Sequence, residues 1–183
     1  MITASKIRSH YEDNWRSAAD LLTHDRGPVR DFPKEFGILR FEPRDNRRMW
    51  TYATCGMSLF PNTKGLELHI FSEKREDSLI ELLYVVAHFQ LSERELGLWH
   101  SVNFGRPWLG DSKCSYGLIS LPYLDGPSLE NLNDGASLAK FYWLLPVTRD
   151  EIEFKKREGV DSLERVFEEK KVNYLDENRN SVV

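Results

Sequence analysis

Cysteine is nearly absent: Cys55 and Cys114 are the only two in 183 residues. Neither belongs to a Cys-x-x-Cys pair, so a structural zinc site and dithiol chemistry have no ligand pattern to rest on. Both are expected as reduced, buried thiols in a cytoplasmic protein. Basic runs are equally scarce. The richest clusters, at 44–48 and 155–157, are short and have acidic neighbours, and the net charge is −4. That balance argues against nucleic acid, whose binding depends on Lys and Arg neutralising phosphates. Long apolar runs are missing as well. The longest, at 79–89, is interrupted by Glu81 and is too short to cross a bilayer, so no membrane contact is expected. The first fifteen residues, MITASKIRSHYEDNW, hold no apolar stretch of the kind a secretory signal needs. Repeats, low-complexity tracts, a GxSxG elbow, a glycine-rich phosphate loop and a P-loop lysine do not occur either.

Hydrophobic residues are plentiful at 40%, with 12% aromatic, enough for one domain over 1–183 to bury a core. Ile7, Tyr11, Trp15, Ala18, Ala19 and Leu22 recur at three-to-four spacing and predict an amphipathic helix over 7–22. Gly27, Pro28 and Pro33 mark a connecting loop over 24–34. Strands are expected over 36–41, 48–57 and 66–71, with a hairpin turn over Pro61–Gly65. In the third strand Leu66, Leu68 and Ile70 share one face and Glu67, His69 and Phe71 the other, which reads as the more polar, surface side. Ser78-Leu-Ile-Glu81 matches a capping box ahead of the buried stripe Leu79, Leu82, Leu83, Val86 and Phe89. A strand follows over 116–123. Phe141–Val147 is apolar on both faces and predicts a central strand, with Pro146 at its end. Thr148-Arg-Asp-Glu151 is a second capping box, opening a helix that stops near Gly159. Val160, Leu163, Val166 and Phe167 predict another helix, and Tyr174, Leu175 and two terminal valines predict a tail that packs down. The fold class is α+β: a mostly antiparallel or mixed central sheet, packed with helices at the N-terminus, in the middle and at the C-terminus.

Evidence for catalysis is thin. The five histidines (His10, His24, His69, His88 and His100) have no metal-ligand spacing, so neither a metal nor a cofactor is expected. The stretch HSVNFGRPW, residues 100–108, gathers His100, Asn103, Gly105, Pro107 and Trp108. One reading makes it an active-site loop in which His100 works with Asp111 or Asp125 in a hydrolase or transferase. The preferred reading makes it a rigid corner: Asn and Gly tolerate positive φ, and Pro107 presets the next bend. Trp108 is then a core plug or a contact anchor.

Several blocks, in order, resemble the Suppressor of Fused-like (SUFU) domain family. They are Trp50-Thr-Tyr-Ala-Thr-Cys-Gly-Met-Ser58; Gly65-Leu-Glu-Leu-His-Ile-Phe71; Val86-Ala-His-Phe89; Gly97-Leu-Trp-His-Ser-Val-Asn-Phe-Gly-Arg-Pro107; Trp143-Leu-Leu-Pro-Val-Thr148; and the tail Asp176-Glu-Asn-Arg-Asn-Ser-Val-Val183. The resemblance runs from about residue 36 to the C-terminus, behind an N-terminal helix and loop over 1–35. Trp50, Gly56, Glu67, His100, Asn103, Gly105 and Pro107 are its structural signature.

The resemblance implies a non-enzymatic domain that binds another protein. The eukaryotic namesake restrains the zinc-finger transcription factors of Hedgehog signalling by gripping an extended peptide as an added strand. Single-domain bacterial members are thought to be immunity proteins that neutralise toxins, which suits a small acidic chain facing a basic partner. At 88–89 this sequence has His-Phe where the family often has Arg-Tyr, so a phenolic hydroxyl is lost. The expected contact surface comprises Phe89, Glu93, Glu95, Trp99, Trp108, Asp111 and the neighbouring strand edge. A toxin domain is the expected partner, and the chain itself is expected as a monomer or weak homodimer. A scaffold associating through its own strand edges is the remaining alternative.

Overall fold

The computed structural model describes residues 1–23, 32–45, 47–61, 64–92 and 95–183. Its strands are β1 (Asp20–Leu22), β2 (Gly37–Phe41), β3 (Trp50–Cys55), β4 (Leu66–Ser72), β5 (Ser101–Asn103), β6 (Cys114–Ser120), β7 (Asn131–Asn133) and β8 (Leu138–Thr148). Its helices are α1 (Ala4–Trp15), α2 (Ser78–Ser92), the single turn α3 (Pro127–Glu130), α4 (Arg149–Glu158) and α5 (Val160–Glu169). All strands join one sheet in the order β1-β2-β3-β4-β8-β6-β5, with β7 pairing to β8 off that path. The β4–β8 pairing is parallel and the others are antiparallel.

The period-two pattern of β4 divides the core. Leu66, Leu68 and Ile70 face the cluster that holds Leu79, Leu82, Leu83 and Val86 of α2. The opposite face is buried too, contrary to the surface role its polarity suggests: Glu67 and His69 are both 0% exposed. The cause is α1. Its Tyr11 and Trp15 stack at 4.6 Å, Tyr11 meets Phe141 edge-on at 4.9 Å, and Trp15 meets His69 at 5.5 Å. The helical stripe predicted through Leu22 ends at Trp15, where Arg16 turns left-handed at φ 49°. Asp20–Leu22 then pairs with β2 as an edge strand.

β8 is buried at every residue from Phe141 to Thr148, as expected of a strand covered on both faces. Pro146 lies within it instead of ending it. Its Cα partner is Gly117 of β6, while its carbonyl accepts from Arg179 Nη2 at 3.0 Å. The β4 ladder has already stopped at His69–Trp143, so the missing N–H faces a side without a neighbouring strand. Thr148 and Glu151 form the predicted capping box, and α4 gives way to α5 at Gly159, φ 88°. The tail packs down: Arg179 is 8% exposed and pairs with the wholly buried Glu151. Cys55 and Cys114 are buried free thiols. Among the described residues no helix is long and apolar enough to cross a membrane.

Candidate functional site

Among the described residues β5 is one end of the sheet, opposite β1, and the residues before it fix its position. Leu96 N–H donates to Gln90 Oε1 at 2.5 Å, tying the approach to the end of α2. A turn then closes with His100 N–H on the Gly97 carbonyl at 3.0 Å. Its third residue, Trp99, has φ +68°, a position where glycine is the usual occupant. The Trp99 N–H donates to Ile119 O at 2.8 Å, and Lys155 Nζ of α4 donates to its carbonyl. Burial, and then neighbouring Lys156, lower the proton affinity of Lys155. A bulky left-handed residue persists only where its surroundings hold it, and here both backbone groups are held.

From this turn β5 runs antiparallel to β6. Ile119 N–H donates to His100 O, and Phe104 N–H to Ser115 O. By alternation, the backbone groups of Ser101 and Asn103 point away from β6, to the side where β5 ends the sheet. The hairpin is closed by an Asn103 side chain accepting from Gly105 N–H at 2.9 Å, with Gly105 at φ +70°. Trp108 is 1% exposed, its Nε1–H on Ser112 Oγ at 3.0 Å. It is a core residue and takes no part in the surface where it was expected. Trp108 shares its buried cluster with Leu79, Leu82, Leu83 and Val86 of α2.

A second constellation supports the sheet from within. The Glu67 carboxylate accepts from Thr54 Oγ1 (2.6 Å), Gly56 N–H (3.1 Å), Met57 N–H (3.3 Å), Ser58 N–H (2.8 Å) and Ser58 Oγ (2.6 Å). Burial raises its proton affinity against the opposing Ser58 and Thr54 bonds. Gly56 has φ +97°, and a Cβ there would lie 3.3 Å from Glu35 O. The sequence blocks around Gly56-x-Ser58 and Glu67 are therefore two halves of one hydrogen-bonded knot.

The structure brings Glu95, Trp99 and His100 to the approach of the β5 edge. Glu95 is exposed and ion-paired to Lys64 at 3.2 Å; Trp99 is half-buried and His100 exposed. Phe89 is half-buried, packed on the α2 core. Asp111 is exposed at the far tip of the β5–β6 hairpin, remote along the chain from Trp99. Glu93 lies outside the described residues. Trp50 is half-buried with the Arg40 guanidinium 5.9 Å above it, and Pro107 is half-buried. Lys155 and Gln90, which hold the turn, were not legible: a lysine in a charged helix and a glutamine at a helix end carry no local signal.

His100 fixes the corner through its backbone, and its ring is hydrogen-bonded or ion-paired to none of the described residues. Asp125 is unavailable to it. That side chain is 4% exposed, held by Arg47 and by Trp15 Nε1–H at 2.9 Å. His69 Nε2 lies 3.7 Å from the same carboxylate, too far for a hydrogen bond. Burial, and then the Arg47 charge, depress the His69 pKa well below its ordinary value, so the ring is neutral and Arg47 is the true counter-ion of Asp125. Among the described residues no group of three His, Cys, Asp or Glu is placed to hold a metal.

The model of the suppressor of fused protein (SUFU) family matches residues 33–180. The chain belongs to that family. A crystal structure described as a SUFU homolog from Neisseria gonorrhoeae is 31% identical, covers 98% of this chain and 96% of its own, and superposes with a TM-score of 0.87. The fold alone is shared with a Sufu–Fu complex, at 14% identity, 98% and 91% coverage and TM-score 0.68. It is shared also with Drosophila Suppressor of Fused, at 13% identity and TM-score 0.56, over 80% of this chain and 42% of that one. No curated protein matches the chain. Among the described residues the SUFU fold here is thus an eight-stranded mixed sheet with five α-helices.

Proposed function

We propose that this chain is a non-enzymatic protein-binding domain of the cytoplasm, and that it serves as an immunity protein, binding and neutralising a polymorphic toxin. One observation carries the reading. β5 is an open edge whose outward groups, on Ser101 and Asn103, are aligned for an added strand. The strained Trp99 supports it, since its half-buried indole stands beside that edge at the cost of an unfavourable backbone. Glu95 and Asp111, with a net charge of −4, favour a basic partner and speed its approach. The relative in the Sufu–Fu complex is itself bound to a protein, Fu.

The test starts at the neighbouring gene: a secreted protein with a polymorphic C-terminal toxin domain is expected there, and that domain is co-expressed with this chain. Restored growth and a co-eluting complex are expected. Ser101→Pro, which removes an outward amide without touching the β6 ladder, should abolish both while circular dichroism stays unchanged. Continued toxicity with no complex would refute the immunity role. A homodimer by light scattering that Ser101→Pro dissociates would favour the scaffold.

A further inference from the structure

The register of β5 decides which of its side chains share a face with α4. Val102 and Phe104 belong to the buried cluster that holds the α2 stripe. Ser101 lies across from Leu118, which packs in the opposite cluster with Ile152 of α4. Cross-strand partners lie on one face of a sheet, so Ser101 is on the α4 side. Lys155 follows Ile152 by three residues, on the same face of that helix. Its Nζ donates to the Trp99 carbonyl, two residues before Ser101. The ammonium therefore stands at the start of the open edge, on the face that Ser101 shares.

Lys155 differs from the cations beside it. Lys156 pairs with Glu153 at 2.9 Å and Arg157 with Glu158 at 2.7 Å, both at the exposed surface. Lys155 is half-buried, yet among the described residues no carboxylate pairs with it. Glu151, one turn back, is already clasped by Arg179. One of the three ammonium N–H groups is used on Trp99, and partial burial leaves the charge uncompensated.

We infer that the β5 edge takes an extended strand whose side chains facing α4 include a carboxylate, held by Lys155, while its alternate side chains are apolar and extend the Val102–Phe104 face. This rests on β5 being the docking edge proposed above and specifies what that edge selects. Side chains of an added strand alternate as those of β5 do, so a residue opposite Ser101 lies on the α4 side. The acidic net charge steers a basic partner from a distance, and Lys155 reads one residue on contact.

The probe is the capped peptide Val-Thr-Val-Glu-Val-Thr-Val, with matched peptides carrying glutamine or lysine at the centre. Each is titrated into the whole chain while the Ser101 and Asn103 amides are followed by NMR. All three should shift those amides, the glutamate peptide binding about fivefold tighter than the glutamine peptide and the lysine peptide most weakly. Added salt should shrink the difference. Lys155→Arg should keep the preference. Lys155→Gln, which retains a donor for the Trp99 carbonyl, should abolish it while the glutamine peptide binds as before. Equal binding of the glutamate and glutamine peptides, with the amides still shifting, would overturn the role of Lys155 and leave the edge standing. Equal weakening of all three by Lys155→Gln would also overturn it, reducing Lys155 to a prop for the turn. No shift of either amide with any peptide would overturn the edge and this inference together.

Discussion

Arg179 clasps Glu151 with both terminal nitrogens, Nη1 to Oε1 at 2.6 Å and Nη2 to Oε2 at 2.8 Å. The same carboxylate accepts from Thr148 N–H at 2.8 Å and Val182 N–H at 3.3 Å. A capping-box glutamate is thereby shared between a helix start and the C-terminal tail. Burial disfavours the Arg179 charge, but the Glu151 carboxylate overcomes it and raises the guanidinium's proton affinity.

Arg179→Ala leaves Glu151 buried without its cation and should cost about 3–5 kcal/mol, read as a lower urea midpoint. Arg179→Lys keeps the charge and loses the planar fork, so it should fall between the two. A midpoint unchanged by Arg179→Ala would mean the pair contributes nothing net.

Glu67→Gln replaces an acceptor of five hydrogen bonds by an amide whose NH₂ faces other donors. Stability should drop by about 3 kcal/mol, since buried donors without acceptors cost roughly 1–3 kcal/mol each. Hydrogen exchange at Gly56 and Ser58 should quicken more than exchange in α5.

His69 governs acid sensitivity. The unfolded chain takes up a proton near pH 6.5 that the folded chain refuses, because burial and then Arg47 disfavour the charged ring. Stability conferred by the neutral ring is therefore present above pH 6.5. It is lost as pH falls below that value, by about 1.4 kcal/mol per unit until the folded ring titrates. His69→Gln should flatten this part of the profile, measured as unfolding free energy between pH 7 and 5.

Trp99→Gly and Trp99→Ala delete the same indole but differ in backbone cost at φ +68°. The glycine variant should be the more stable by about 1 kcal/mol. Both should lose partner binding to a similar degree. Equal stabilities would show that the turn relaxes when the indole is gone.

Features set by short-range pattern were legible in the sequence. The two-sided burial of β8, the Thr148–Glu151 box, the α2 stripe and the packed tail each follow from spacing over a few residues. Glu67 and His69 misled because polarity on alternate positions signals a solvated face unless another element covers it. The element that does so, α1, comes from the far end of the chain. Three-residue strands such as β1 and β7 have too few residues for a period, and depend on their partners. Trp108 looked equally suited to either side of the surface. Its burial depends on the β5–β6 hairpin folding over α2, which no local signal encodes. In the candidate site the supports of the Gly97–His100 turn were not legible: Lys155 of α4 holds Trp99 and Gln90 of α2 holds Leu96, each a single side chain from another element.

The parallel seam between Leu66–His69 and Lys140–Trp143 has a consequence for how the chain folds. On one side of it β1 to β4 form a meander of sequence neighbours, and on the other β5, β6, β7 and β8 do much the same. Each half can assemble from short loops, whereas the seam must join strands roughly seventy residues apart. Closing it late should set the folding rate, because loop entropy is spent before those contacts form. Until then β4 and β8 each expose an apolar edge, so this seam is where aggregation competes with folding.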